Sequence, residues 1–545
     1  MVARPWLGTA STAALLFALS LLLRAPFIPR ALVNWDSVQF ALATQTFDIE
    51  RHQPHPPGYI LYIGWGRMLT WLLGDANAAF ALTSLIASSL AVSLLYVLGR
   101  EMVGGRTALV AAALFATSPL AWYYSVVALT YAVEAFLLLI VAYLCWRAMQ
   151  RDEARPVLWA AVTLGLAGGV RQSSLVLLLP LWLYVAARSG RRTLVAGLFV
   201  LAATCLSWLV PLLYLAGGPR RYIQAGASLL GFVGEKTSFL YGGLQAVLGN
   251  LAQVGAGLAV ALNLSLIAVA LALALRCRTG RHFNRREWGL LGLWAGPALL
   301  TFIFGHIGQI GYLLLVLPAV CLVVAVYVEA LSHRLTGVLR LTPGRATVLV
   351  VAVLAAAHAA TIVAAPSTAH ALLGDPATAA MVDTRDNDRF WSEVPLFLEQ
   401  YSPDDVIVLA EASPWGSYRH AGYYLPTHRV FGVGNDRYGH FGYLYASYRG
   451  ATDYSLEERA RRVLHRPYGA RYAVVLDARI VRSLVQQDAL LEVVATPHRS
   501  FYVLDLQDVQ VMTFGYGRTF LHGPALASRE TIPAAIKDLM LEVQR

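Results

Sequence analysis

Two short runs near the start of the chain carry the residue types that acid–base chemistry needs. Asn34-Trp35-Asp36-Ser37 supplies a carboxylate, and His52-Gln53-Pro54-His55-Pro56-Pro57-Gly58-Tyr59 supplies two imidazoles. A carboxylate within hydrogen-bond reach of a hydroxyl can take its proton as that hydroxyl attacks. Further along, Glu134 sits in Tyr131-Ala132-Val133-Glu134-Ala135-Phe136, and Arg171 follows Gly168-Gly169 at a break between two apolar runs. Arginine can hold a phosphate bidentately. His306, Gln309 and Tyr312 surround another tight turn. Taken singly, most have a plainer reading. Asp36 fits a helix cap or a solvated loop residue. His55 fits a loop whose prolines fix an extended backbone. Arg171 fits a side chain snorkelling to an interface, and His306 fits a turn. Glu134 resists such a reading: a carboxylate inside an apolar helix costs roughly 2.5–3.5 kcal/mol and needs a partner or a water-filled cavity.

The elements that must position these residues are membrane spans. Of 545 residues, 57% are hydrophobic and only 14% charged, against about 25% charged in a soluble domain. That much apolar surface cannot be hidden in one water-soluble core, and repeated runs approach the ~20 residues a bilayer core requires. The first, from about Leu7 to Ile28, is long for a signal peptide and lacks a clear cleavage site, so it reads as a retained span. A polar, proline-rich stretch follows, and then 58–74, apolar but broken by Arg67, which reads as an interfacial or re-entrant helix. Further spans are expected at about 78–99, 107–124, 127–146, 157–170, 172–187, 193–215, 248–275, 288–304, 311–330 and 346–365, making about eleven in all.

Arginines set the direction. Arg100 and Arg106, then Arg147, Arg151 and Arg155, then Arg188, Arg191 and Arg192, then Arg276, Arg278, Arg281, Arg285 and Arg286, then Arg334, Arg340 and Arg345 all fall in loops of one side if 58–74 does not cross. By the positive-inside rule that side, with Arg4, is cytoplasmic. The net charge of +11 is therefore a topology signal and not a nucleic-acid footprint. The candidate residues then share the outer side, together with the loop 216–247 and everything after about Pro366. Cys145, Cys205, Cys277 and Cys321 lie in or beside apolar runs and imply neither a disulfide framework nor a zinc site. The expected architecture is a polytopic α-helical membrane domain over 1–365, including an outer loop 30–74, and a small α/β domain over 366–545. Strands are expected at Asp405–Ala410, Arg429–Val433, Arg471–Asp477, Leu491–Thr496 and Ser500–Leu506, after a helix over Asp388–Tyr401.

The segment 34–62, NWDSVQFALATQTFDIERHQPHPPGYILY, resembles the first outer loop of the GT-C superfamily of glycosyltransferases. The similar branch is that of protein O-mannosyltransferases and the aminoarabinose transferase of lipid A. Tyr131–Phe136, Gly168–Pro180 and His306–Pro318 agree more loosely, and the likeness covers about the first 330 residues. The resemblance implies a GT-C fold and inverting transfer from a polyprenyl-phosphate sugar to a lipid, glycan or protein acceptor. It implies Asp36 as general base, Glu134 as the second acidic residue and His55 as the residue before the two prolines. There are departures: Ser37 follows Asp36 where protein mannosyltransferases often carry Glu, and His55 replaces the Lys of aminoarabinose transferases.

The chemistry that the resemblance implies asks for these same parts. A departing lipid phosphate needs cationic or donor groups, and Arg171, His55 and His306 are the candidates on the outer side, with Gln309 and Tyr312 beside them as further substrate contacts. Asp36, His55 and Glu134 could hold a divalent ion, but their spacing matches no standard ligand motif. A transporter or flippase, a non-catalytic lipid- or glycan-binding scaffold, and a ligase of polyprenyl-linked glycans are the alternatives. Transporters place their sites near the midplane, often with internal repeats, and no repeat is visible here. The expected location is the plasma membrane of a bacterium, N-terminus inside and C-terminus outside. A cysteine engineered near Tyr418 should be labelled by an impermeant maleimide added to intact cells. Protection there, with labelling near Arg281, would reverse the orientation.

Overall fold

The computed structural model describes residues 8–151, 153–278, 283–364, 381–412, 416–435, 440–447, 461–486, 490–495 and 500–523. Arg4, Arg281 and the stretch after Pro366 up to residue 380 lie outside them. The chain divides into two compact units. One comprises Met1–Arg30 and Pro56–Thr384, the other Ala31–His55 and Arg385–Arg545. The sequence-based division counted the loop 30–74 with the membrane part. By its contacts, Ala31–His55 goes instead with the C-terminal residues, for reasons given below.

The first unit is helical. Among the described residues, eight helices are long and apolar enough to cross a membrane: Thr9–Phe27, Ala76–Val103, Tyr131–Arg151, Arg191–Leu215, Phe239–Leu262, Arg285–Gly305, Leu317–Leu339 and Pro343–Val363. A ninth is formed if the pair Gly105–Thr117 and Pro119–Val126, bent by 57°, counts as one span. Shorter apolar helices at Ala154–Val170 and Gln172–Arg188 occupy two further expected spans. Ile60–Leu73 is a short helix of 14 residues. It packs closely on Ala76–Val103 because Gly66 lies under the Phe80 ring, where a Cβ would come within 2.0 Å of a ring carbon. Asp75 starts the next helix by accepting the Ala78 N–H at 2.6 Å, a standard N-cap.

Two expectations are corrected here. The run 248–275 is not one span: the helix Phe239–Leu262 ends at Asn263, and Leu264–Ala274 begins anew. The outer loop expected at 216–247 is mostly helix, Pro219–Thr237, with polar and apolar residues mixed closely enough to hide it from a hydropathy reading. Helix breaks orphan carbonyls, and apolar surroundings offer no water to satisfy them. Side chains fill the gap. Ser118 Oγ donates to the Ala261 carbonyl at 2.8 Å, His358 Nε2 meets the Leu262 carbonyl at 3.3 Å, and Asn263 Nδ2 donates to Thr361 Oγ1 at 3.2 Å. Arg24, fully buried, donates to Ser88 Oγ at 2.8 Å and to the Ala116 carbonyl at 2.5 Å and stacks on Trp122.

The second unit is α/β. A six-stranded sheet runs in the order β3-β2-β1-β5-β7-β6, from β1 (Val406–Glu411), β2 (Arg429–Asn435), β3 (Phe441–Ser447), β5 (Tyr472–Val475), β6 (Leu490–Ala495) and β7 (Ser500–Asp505). The central strands β2, β1 and β5 are parallel and the outer ones antiparallel. The run VIVLA of β1 is buried on both faces, as a central parallel strand must be. Tyr418–Tyr424 packs on one face and Ala478–Ser483 on the other. A second, three-stranded sheet joins β4 (Val463–His465), β8 (Val511–Gly515) and β9 (Arg518–His522). The β8–β9 hairpin turns through Tyr516 and Gly517, both at positive φ, which a two-residue turn between twisted strands requires.

Ala31–His55 joins this unit through backbone and ring contacts. The Ala31 N–H donates to Asp388 Oδ1 at 2.8 Å and the Leu32 N–H to the Tyr424 hydroxyl at 2.7 Å. Asn387 Nδ2 returns to the Leu32 carbonyl at 3.1 Å. Ala31 and Trp35 enter the hydrophobic core formed by Phe390, Val406, Tyr418 and Phe501. Because Tyr418 is buried while Tyr468 is fully exposed, Tyr468→Cys in a background freed of the four native cysteines is the better site for the topology label. It should react from outside intact cells, and protection would overturn the proposed orientation.

Candidate active site

In the first unit, Glu134 lies in the first turn of Tyr131–Arg151 and is completely buried. Three donors converge on its carboxylate. Thr130 Oγ1 donates to Oε1 at 2.6 Å, Ser174 Oγ donates to Oε2 at 3.0 Å, and Arg171 Nη1 donates to Oε1 at 3.3 Å. The partner that a buried carboxylate demands is therefore present. With both oxygens engaged, Glu134 holds a cation in place.

Arg171 is the single residue between the helices Ala154–Val170 and Gln172–Arg188. Its extended backbone caps one helix and opens the next, so its side chain leaves the apolar wall at a fixed point. The guanidinium lies 4.3 Å from the Tyr312 ring centroid and 5.3 Å from that of Tyr131, cation–π contacts that gain strength when desolvated. Its side chain retains 12% of its exposure. Among the described residues its one hydrogen bond goes to Glu134, so most of its five N–H donors remain available to an anion.

Tyr312 stands in the 3₁₀ segment Ile310–Leu315, whose N-cap is the buried Gln309. Its ring centroid lies 5.9 Å from that of His306. His306 follows the π-helical turn Thr301–Gly305, and its Nδ1 meets Thr237 Oγ1 at 2.9 Å. Burial first, and the Arg171 guanidinium second, hold the imidazole down at about 4. It is neutral at physiological pH and acts as a hydrogen-bonding group. Gly311 admits the aromatic cluster, since a Cβ there would come within 2.6 Å of both Tyr124 and Tyr131. Glu134, Arg171, His306 and Tyr312 are thus brought together. Thr130, Ser174, Tyr131 and Thr237, which complete the cluster, were not singled out from the sequence. Ser174 lies three residues after Arg171, a spacing that would have pointed to it.

In the second unit, Asp36 occupies the first turn of Trp35–Gln45, with Asn34 as N-cap accepting the Asp36 N–H at 2.9 Å. Its side chain keeps 24% exposure, and Oδ1 lies 3.8 Å from His55 Nδ1. Gln39, one turn beyond Asp36, turns its Oε1 to the same His55 nitrogen, and Phe40 stacks on the imidazole. His52 lies close by, its ring 6.4 Å from that of His55. Burial chiefly, then the charges of Arg419 and His55, keep His52 well below the usual histidine range. Asp36 and His55 are therefore paired, as one constellation within the second unit, while the other five candidates belong to the first. Among the described residues no three His, Cys, Asp or Glu side chains gather as a metal site; the Asp36–His55 pair would offer two ligands.

Residues 54–215 match the family model described as dolichyl-phosphate-mannose-protein mannosyltransferase. No curated protein matches the chain. Among solved structures, it resembles ArnT from Cupriavidus metallidurans bound to undecaprenyl phosphate, with a TM-score of 0.52 and 14% identity over 91% of this chain and 97% of that one. The same protein in its apo state gives a TM-score of 0.52 at 15% identity, covering 91% of this chain and 98% of the other.

Two outcomes follow from this geometry. Glu134→Ala strands a buried guanidinium, so it should cost roughly 3–5 kcal/mol, whereas Glu134→Gln, whose carbonyl oxygen still accepts from Thr130 while its amide nitrogen donates to the Ser174 hydroxyl, should cost clearly less; thermal melts in detergent would check the order. His306, with its folded pKa below the ordinary 6.5, contributes its full stability above that pH and loses it as pH falls toward 4. The stability gap between wild type and His306→Asn should therefore narrow across that window, and an unchanged gap would mean that His306 is not held neutral.

The match over residues 54–215 and the fold shared with ArnT are what this chain has in common with membrane glycosyltransferases of that kind.

Proposed function

We propose that this protein is an inverting glycosyltransferase that moves a sugar from a polyprenyl-phosphate donor to an acceptor hydroxyl on the outer face of the membrane. The observation that carries this reading is Arg171: a desolvated guanidinium, anchored by Glu134 and Tyr312, with donors to spare. Such a group is suited to a phosphate that gains negative charge as it leaves. The similar ArnT structure holds undecaprenyl phosphate, a lipid of the chemistry that Arg171 would meet here.

The step is a single displacement. The acceptor oxygen attacks the anomeric carbon, and its proton passes to the Asp36 carboxylate. The bond from that carbon to the phosphate oxygen breaks, and the lipid phosphate departs with the electron pair, its charge met by Arg171. His55, held by Gln39 and Phe40, orients Asp36 and can help to disperse the proton. A neutral His306 and Tyr312 donate hydrogen bonds without adding charge. Inversion follows because the enzyme forms no covalent intermediate. A divalent ion, if bound, would be held by Asp36 and His55 and would draw charge from the acceptor oxygen; none of the roles above depends on it. The acceptor is a lipid, a glycan or a protein hydroxyl.

General-base catalysis contributes roughly 10²–10⁴-fold, so Asp36→Asn should lower turnover by that factor while leaving folding and donor binding intact. Turnover measured with polyprenyl-phosphate sugars in nanodiscs, alongside thermal stability, tests this. Near wild-type turnover in Asp36→Asn with loss in Glu134→Gln would reverse the two roles. Arg171→Ala should weaken binding of undecaprenyl phosphate to the purified protein far more than it lowers stability. Unchanged affinity would leave Arg171 as an interfacial side chain and remove the main support for the reading.

A further inference from the structure

Asp36 and His55 are carried by a segment that has little structure of its own beyond one short helix. What fixes it is the C-terminal α/β residues of the same unit. The start of the segment is tied by the Ala31 and Leu32 N–H groups to Asp388 and Tyr424. Next, the Trp35 ring packs against Tyr418, centroids 4.9 Å apart. Toward the other end, Arg419 Nη2 donates to the Arg51 carbonyl at 3.0 Å. The Arg419 guanidinium also lies 5.7 Å from the ring centroids of both Trp35 and Tyr418. One buried side chain, only 1% exposed, thus touches the residue before Asp36 and the residue four before His55.

Its place in the fold suits that task. Tyr418 and Arg419 open the helix Tyr418–Tyr424, which follows β1 and packs on one face of the sheet, whereas Ala478–Ser483 follows β5 and packs on the other. Adjacent parallel strands whose helices leave to opposite faces define a topological switch point, and the carboxyl ends of strands there are where open α/β sheets customarily present functional groups. Here a guanidinium is presented, and it is turned to the segment that bears the acid–base pair. Its planar form matters. It stacks on two aromatic rings and donates to a carbonyl at once, which an ammonium cannot reproduce.

We propose that Arg419 is a positioning residue for the transfer reaction, setting the spacing of the Asp36–His55 pair from the C-terminal domain. This rests on the reading of Asp36 as the general base, and the test separates the two. The first measurement is hydrogen–deuterium exchange on the purified full chain, which needs no substrate. Arg419→Met should speed exchange in peptides covering 31–55 by about tenfold, the loss of one hydrogen bond and its stacking, while peptides from Ala76–Val103 stay unchanged. Tyr424→Phe, which removes the acceptor of the Leu32 N–H, should do the same at the start of the segment and guards against a misfolded Arg419 variant.

The second measurement is turnover with a polyprenyl-phosphate sugar. Both variants should lower kcat about 10- to 100-fold, an effect of misplacement of the kind that small displacements cause, with KM for the donor unchanged. The acid limb of the pH–rate profile should move upward in Arg419→Met, because a positive charge beside His52, whose ring neighbours that of His55, is gone. Arg419→Lys should restore the pH profile but only part of kcat. Unchanged exchange in 31–55 for both variants overturns the proposal whatever the activity. Faster exchange with undiminished kcat also overturns it, leaving Arg419 a structural residue. Asp36→Asn with full turnover would instead defeat the general-base reading, and the exchange data would stand apart from that result.

Discussion

Apolar surroundings leave no backbone N–H or C=O without a partner at small cost, and the membrane unit is organised by that constraint. Uninterrupted helices satisfy it by themselves, so every interruption needs a local remedy, and the remedies are where polar side chains collect. At Ser118 and Asn263 the remedy is structural: Ser118, His358 and Asn263 engage carbonyls and a hydroxyl near the two breaks. At Thr130, Arg171 and the stretch from His306 to Gln309 the helices also break, and the hydrogen-bonded side chains gathered there include a carboxylate, a guanidinium and an imidazole. The candidate site of this unit consists of helix ends: Glu134 in a first turn, Arg171 as a one-residue joint, and His306 and Tyr312 on either side of a passage from π- to 3₁₀-helix.

Within that cluster the division of labour is set by saturation. Glu134 has three protein donors on two oxygens and little capacity left. Arg171 spends one hydrogen bond on Glu134 and turns the flat faces of its guanidinium to tyrosines. A buried charge pair of this kind contributes little net stability, because desolvation offsets attraction. It does fix a direction. Glutamate and tyrosines together hold the guanidinium plane, so its remaining N–H groups form a preset array of donors in place of a flexible side chain.

The sequence displayed some of this well and some of it badly. Long apolar runs gave the spans, and VIVLA and YAVV gave the buried parallel strands, because burial on both faces leaves an unbroken apolar signature. Asp36, His55, Glu134 and Arg171 were visible because ionisable groups beside apolar runs are rare. Other features were hidden for physical reasons. Pro219–Thr237 has too mixed a composition to register as apolar, and Asn263 breaks a helix without a proline or glycine. The strands β3, β4, β8 and β9 are short or aromatic-rich, and only the Tyr516-Gly517 turn marks a hairpin. Arg24 passed unnoticed as a flanking charge, although it is wholly buried. The largest omission was tertiary: nothing in residues 31–55 alone says that Trp35 belongs to a core formed with Val406 and Phe501.

That long-range pairing has a consequence for biogenesis. Arg51 and Arg419 lie 368 positions apart. At roughly 5–20 residues per second of synthesis, the first loop leaves the ribosome about 20–70 s before the residues that will seat it exist. During that interval all the intervening helices are made while Trp35 and its neighbours have no core to enter. The 31–55 segment therefore takes its final form only near the end of synthesis. Nascent chains, and chains interrupted before β1, would carry the eight long apolar helices among the described residues yet no core for Trp35, so the 31–55 segment is seated late and all at once.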